Sequence, residues 1–246
     1  INSLTLDELQ AKVPYIPRLE QVLDVAREFH HRDGDRRADG DKDGRWSGLL
    51  VVEMKTPSPL CDPGDTSERQ LVSTVVDAIR DRGMDHATIL DGFSPALVYL
   101  ASQMAPEIPR ELDLDLLQLL TPAQVQAATG LTVTPIQKTL NLGLQWGDVG
   151  PIYRLPAYTS VQQFFVTALT VGARIVDAEM DFIATSEQQQ PGSASAWVGA
   201  AHGLGFKVVA DPAKNAQQFA YFASFGFDGA YCDDIPGSLA LQPPLR

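Results

Sequence analysis

Leu49-Leu50-Val51-Val52-Glu53-Met54-Lys55-Thr56-Pro57 is the stretch on which the reading of this chain turns. Four large aliphatic residues in a row are what a parallel strand covered on both faces requires. The run then turns polar at Glu53 and Lys55, and Thr56-Pro57 stops it. Two positions apart on a strand, Glu53 and Lys55 point to one side and Met54 to the other. An acid and a base at the C-terminal end of an apolar strand are placed where a barrel enzyme keeps its chemistry. The same pair also reads as a solvated ion pair at a strand end.

Outward from this strand, apolar runs alternate with helical periodicity. Towards the N-terminus, Thr5-Leu6-Asp7-Glu8 has the spacing of a capping box and opens a short helix. Leu19, Val22, Leu23 and Ala26 then form the buried stripe of a second helix, which His30 and His31 are expected to end. Towards the C-terminus, Leu71, Val75, Ala78 and Ile79 define a helix with Gly83 as its cap, and Ser94-Pro95 opens another. Further helices are predicted over 121–130, 161–170, 197–204 and 217–225. Strands are predicted over 87–90, 114–119, 173–178, 206–210 and 230–232. Residues 186–195 read as a surface loop, 131–160 as an irregular insertion, and the Pro-rich tail after Asp234 as loosely held. Strand–helix alternation argues for a parallel sheet with helices outside. The expected fold is α/β, a single TIM-type (β/α)8 barrel domain over 1–246, with about six of eight strands present.

The formal charge of −12, from 19 Lys and Arg against 31 Asp and Glu, argues against a broad nucleic-acid surface. An anionic substrate would instead be received locally, most simply by a bound cation. No run of about 18 apolar residues predicts a membrane span. Cys61 and Cys232 have no metal-ligand spacing and leave both their pairing and the compartment open. Ile1 stands where an initiator Met would, so the chain reads as a processed or partial product. Within an acidic loop, 33–48, Asp39, Asp41, Asp43 and Gly44 occupy positions 1, 3, 5 and 6 of a calcium loop, but position 12 is Leu50 rather than Glu. That loop is either half of a calcium site or a solvated acidic surface.

Five segments, in order from the first helix to Pro236, resemble the glycerophosphodiester phosphodiesterase family of barrel enzymes. Ile16-Pro17-Arg18-Leu19-Glu20-Gln21-Val22-Leu23 is similar to its Ile-Pro-Thr-Leu-Glu-Glu-Val-Leu segment, and Val52-Glu53-Met54-Lys55 to its Ile-Glu-Ile-Lys strand end. Gly92-Phe93-Ser94-Pro95 stands where the family has Ser-Phe-Asp-Pro. His202-Gly203-Leu204-Gly205-Phe206-Lys207-Val208 resembles its Ala-His-x-x-Gly-Leu-x-Val passage. Gly226-Phe227-Asp228-Gly229 with Cys232-Asp233-Asp234 resembles its closing Gly-Val-Asp-Gly and Thr-Asp. The family's opening His-Arg-Gly strand, its Glu-x-Asp strand and its His-Asp dipeptide have no counterpart before the first helix. They carry its acid–base histidines and most of its metal ligands, and the two strands equal the shortfall in the strand count.

The resemblance implies metal-dependent hydrolysis of a small-molecule glycerophosphodiester to an alcohol and glycerol phosphate, with this chain as the C-terminal part of the enzyme. By the same resemblance Glu53 is a ligand of Mg2+ or Ca2+, Lys55 neutralises charge on the phosphate, and Phe93 lines the pocket. His86 and His202 precede strands and fall on the opposite face. Two alternatives stand beside this reading: a non-catalytic remnant that binds a ligand or calcium, and a barrel enzyme using Lys55 as a Schiff-base amine. The adjacent Glu53 counts against the second by keeping that amine protonated.

Overall fold

The computed structural model describes residues 6–38, 49–55, 66–120, 123–124, 127, 133–139, 145–149, 153–156 and 158–233. The N-terminal half comprises α1 (Leu6–Lys12), α2 (Leu19–Ala38), β1 (Leu50–Glu53), α3 (Thr66–Arg80), β2 (Thr88–Asp91), α4 (Pro95–Met104) and β3 (Glu111–Leu114). Three further strands follow, β4 (Val133–Thr139), β5 (Gln145–Val149) and β6 (Tyr153–Pro156). The chain then alternates through α5 (Val161–Val171), β7 (Ile175–Glu179), α6 (Met180–Gln189), α7 (Ser193–Gly203), β8 (Lys207–Ala213), α8 (Ala216–Ser224) and β9 (Gly229–Cys232).

Six strands run parallel. β1 pairs with β2 in the register Leu50–Thr88 to Glu53–Asp91, and β3, β7, β8 and β9 pair in that order. The bridge Leu90–Arg110 and the bond from Leu90 N to Pro109 O (2.9 Å) join β2 to β3. Each strand therefore neighbours its successor in the parallel series, which is the winding of a barrel; a doubly wound sheet would reverse direction part-way. The sheet is also curved. Tyr231 on β9 donates from its hydroxyl to Glu111 Oε2 on β3 at 2.8 Å. In a flat sheet those strands, three places apart, would be about 14 Å from each other. Among the described residues β1 and β9 each have one strand neighbour, so the barrel is open between them. Beside that opening Leu49 is 57 % exposed, an edge of the kind that associates unless covered.

Side chains alternate along every strand of this sheet. Val52, Met54, Leu90, Leu112, Leu114, Val176, Ala178, Val208 and Ala210 face the helices and belong to two apolar clusters. One packs β1 and β2 against α2, α3 and α4; the other packs β3, β7, β8 and β9 against α5 to α8. Helix ends follow local chemistry. The Ser160 side chain accepts from Gln163 N and Gly172, at φ +77°, closes α5. Asn215 Oδ1 accepts from Gln218 N (3.0 Å) and starts α8. At the N-terminal ends of the strands, Asp228 accepts from Lys207 Nζ (2.8 Å) and Val208 N (2.9 Å) and bonds His202 Nε2 (2.8 Å). Partial burial opposes its ionisation, but the Lys207 and His202 bonds hold its carboxyl down at about 2.

Several sequence expectations shift. The third strand is Glu111–Leu114, not 114–119; Leu116–Leu119 forms a 3-10 turn instead. α2 continues through His30 and His31 to Ala38, so the first residues of the expected acidic loop are helical. The Gln run does not belong to a loop but ends α6, with α7 beginning at Ser193. The expected irregular stretch carries an antiparallel three-stranded sheet, β4–β5–β6; its Gly and Pro content masked the strand pattern. Asp39, Asp41 and Asp43, Cys61 and the tail after Asp233 lie outside the described residues, as does most of the expected 121–130 helix.

Candidate active site at the C-terminal mouth of the sheet

The alternation that sends Met54, Leu90 and Leu112 outward sends Glu53, Asp91, Glu111, Asp113, Asp177, Glu179, Asp211 and Tyr231 inward. Registers confirm the grouping: Glu53 is level with Asp91, Asp113 with Asp177, and Glu179 with Asp211. In an ordinary (β/α)8 barrel this space is filled by Val, Ile and Leu. Here it is lined by seven carboxyls.

They form two levels. At the mouth, Glu53 and Lys55 are paired, with side chains 33 % and 69 % exposed. The Lys55 ammonium also lies 5.4 Å from the centroid of the half-buried Phe93 ring, a cation–π contact. Gly92 lets the β2 turn pass close to β1, since a Cβ there would stand 3.1 Å from Met54 O. Glu179 and Asp211 complete the mouth and are half-buried. Below them Asp91, Glu111, Asp113 and Asp177 are buried, and one carboxylate oxygen of each has no hydrogen-bond partner.

The charges follow from this layering. Burial raises the Glu111 carboxyl to about 8, Asp91 adding to it against the Tyr231 bond. Burial also raises Asp113 and Asp177, reinforced for Asp113 by Asp91 and for Asp177 by Glu111. The bond between Asp91 and Asp113 raises Asp113 further and limits the rise that burial imposes on Asp91. Glu179 rises to about 7 through burial, Asp115 and Asp211. Partial burial alone would lower Lys55, but the Glu53 bond and charge, with Asp113 and Asp91, raise it instead. A lysine kept protonated is unsuited to Schiff-base formation. The mouth therefore offers a fixed ammonium, carboxylate oxygens for a hard cation, and in Glu179 a group that exchanges a proton near neutrality.

The structure brings Glu53, Lys55 and Phe93 together at one mouth and places His86 and His202 at the opposite ends of the strands. The interior acids were missed. Their signal was present as acids at every second position, Glu111-Leu112-Asp113-Leu114 and Asp177-Ala178-Glu179, in otherwise apolar strands. A groove of about 740 Å3 between α5, α6 and α7, walled by Phe165, Phe182 and Trp197, opens on the outer surface. Among the described residues no titratable group lines it, and the carboxyls and Lys55 lie elsewhere, at the mouth.

No protein-family model matches the chain, and no curated protein sequence matches it. Solved structures do. One from Silicibacter pomeroyi, described as a candidate glycerophosphoryl diester phosphodiesterase, superposes with a TM-score of 0.58 at 16 % identity, over 90 % of this chain and 55 % of that one. The glycerophosphodiester phosphodiesterase from Parabacteroides distasonis gives 0.52 at 13 % identity, over 91 % of this chain and 63 % of its own. The one from Thermotoga maritima gives 0.52 at 10 %, over 97 % and 70 %. At these identities the likeness is one of fold: the chain is an α/β, barrel-type sheet with helices outside, and it spans 55 % to 63 % of the first two structures.

Proposed function

We propose that this chain is the C-terminal part of a metal-dependent glycerophosphodiester phosphodiesterase. The observation that carries the proposal is the Glu53–Lys55 pair at the C-terminal mouth of a sequentially wound parallel sheet. The residues present fit a divalent cation. At the mouth the donors beside Glu53 are Glu179 and Asp211, all carboxylate oxygen, which suits Mg2+ or Ca2+. A bound cation of that kind would polarise the non-bridging phosphate oxygens. Glu53 would hold it, Lys55 would set its ammonium against charge developing on the phosphate, and Phe93 would wall the pocket while bracing Lys55. His86 and His202 stand at the opposite ends of the strands, so the histidine pair implied by the resemblance would not be these two.

The test is hydrolysis of glycerophosphocholine by the complete gene product with Mg2+ or Ca2+. Glu53→Gln is expected to lower the rate at least about 100-fold. Lys55→Met should cost about 10²–10³-fold. An unchanged rate in Glu53→Gln would remove Glu53 from the site. The placing of His86 and His202 away from the mouth favours a second reading, a non-catalytic binding module; saturable substrate binding with no turnover in the complete product would decide for it.

A further inference from the structure

The floor of the mouth carries a separate feature. One oxygen from each of Asp91, Glu111 and Asp113 can be chosen so that all three lie within 4.8 Å of one another, and all three residues are buried. Oxygens that share a hard cation at about 2.0–2.6 Å lie no more than about 5 Å apart, so the spacing fits one ion. An independent observation comes from the next strand. Asp177 is 2 % exposed, is level with Asp113 on the same face, and leaves its Oδ1 without a partner. Tyr231 occupies Glu111 Oε2 and leaves Oε1 without a partner.

No basic side chain among the described residues compensates these acids at their own depth. Lys55 is bound to Glu53 at the mouth. Arg110, next to Glu111 in sequence, faces the helices and donates to the carbonyls of Ala105, Ile108 and Gly172. Carboxylates buried without a counter-charge are costly unless they neutralise or hold an ion.

We propose that Asp91, Glu111 and Asp113, with Asp177 beside them, bind one hard divalent cation of the Mg2+/Ca2+ class, distinct from any ion held by Glu53. Nitrogen and sulfur donors are absent from the set, which selects against zinc and copper. The ion ties β2, β3 and β7 together beneath the mouth. This site does not depend on phosphodiester chemistry and stands or falls without it.

The experiment titrates the 246-residue protein with MgCl2 or CaCl2, using choline chloride at equal ionic strength as the control, and follows the melting temperature. Binding of Mn2+ is counted in parallel by electron paramagnetic resonance. A saturable rise of about 5–10 °C is expected once the cation is in hundredfold excess over Kd. Asp113→Asn should remove the rise, weaken Mn2+ binding at least about 10- to 100-fold, and melt higher than the parent in chelator because one buried acid is gone. Asp91→Asn gives the same reading should Asp113→Asn fail to fold. Glu53→Gln should keep the rise. The proposal is overturned if choline chloride produces an equal rise, if both Asp variants bind as the parent does (as uptake by residues 39–43 would give), or if Glu53→Gln alone abolishes binding.

Discussion

Removing protons from the floor of the barrel is expected to destabilise the protein strongly. In chelator, the melting temperature should fall as pH rises from about 5 to 9. The sign follows from Glu111, whose carboxyl moves from 4.5 in the unfolded chain to about 8 in the fold. The native state binds that proton more tightly, so the stabilisation is complete below 4.5 and is lost as pH passes through about 8. At about 1.4 kcal/mol for each tenfold change in proton affinity, Glu111 alone contributes on the order of 5 kcal/mol. Glu179, raised to about 7, adds to the loss in the same direction. Asp113 and Asp177 are raised too, and their effect adds to the fall. Glu111→Gln, which cannot ionise, should flatten much of the profile. A parent protein equally stable at pH 5 and pH 9 would mean that these carboxyls are not buried together. Divalent cation should offset the alkaline loss, because it supplies the charge that the protons take with them.

Phe164→Ala is expected to lower the unfolding free energy by about 3–5 kcal/mol. Phe164 is fully buried on α5, edge-on to Tyr158 with ring centroids 5.4 Å apart and tilted against Phe165 at 5.7 Å. Phe165 in turn meets Trp197 and Phe206, and Trp197 stacks on Phe227. This aromatic chain runs from the β3 side of the sheet to β9 and holds α5 and α7 to it. Against a total stability of about 5–15 kcal/mol, the loss is a large share. Urea unfolding measures it directly; a change below about 1 kcal/mol would show that the region repacks or is not close-packed. Tyr158 also stands between this core and the acidic floor, its hydroxyl pushed up chiefly by burial and further by Asp113. Loss of Phe164 should therefore loosen the floor and reduce the pH dependence as well.

The strands and helices that the sequence made legible were those with one dominant period. The 49–53 run, the Leu71–Val75–Ala78–Ile79 stripe and the Gly-ended helices all have local causes: burial on one side or both, caps, and dipole-matched ends. The third strand was misplaced for a physical reason. Glu111-Leu112-Asp113-Leu114-Asp115 looks solvated, while Leu116-Leu117-Gln118-Leu119-Leu120 looks buried, so local hydrophobicity points three residues too far on. The sheet overrides it, because its inner face accepts carboxyls that protonate or share partners, and the leucines beyond it turn back as a 3-10 helix.

Sequence by itself determined the parallel, helix-covered sheet, five of its six strands and the Glu53–Lys55 tip, because apolar periodicity and strand parity act over a few residues. Only the tertiary structure decided that Asp91, Glu111, Asp113 and Asp177 meet. These acids lie up to 86 positions apart in the chain, and their local alternation with Leu or Ala reads equally as a solvated strand face. Curvature of the sheet brings their strands around one interior, and parity then turns all four side chains into it. Whether an acid is a solvated charge or half of a binding site is set by what the fold places opposite it.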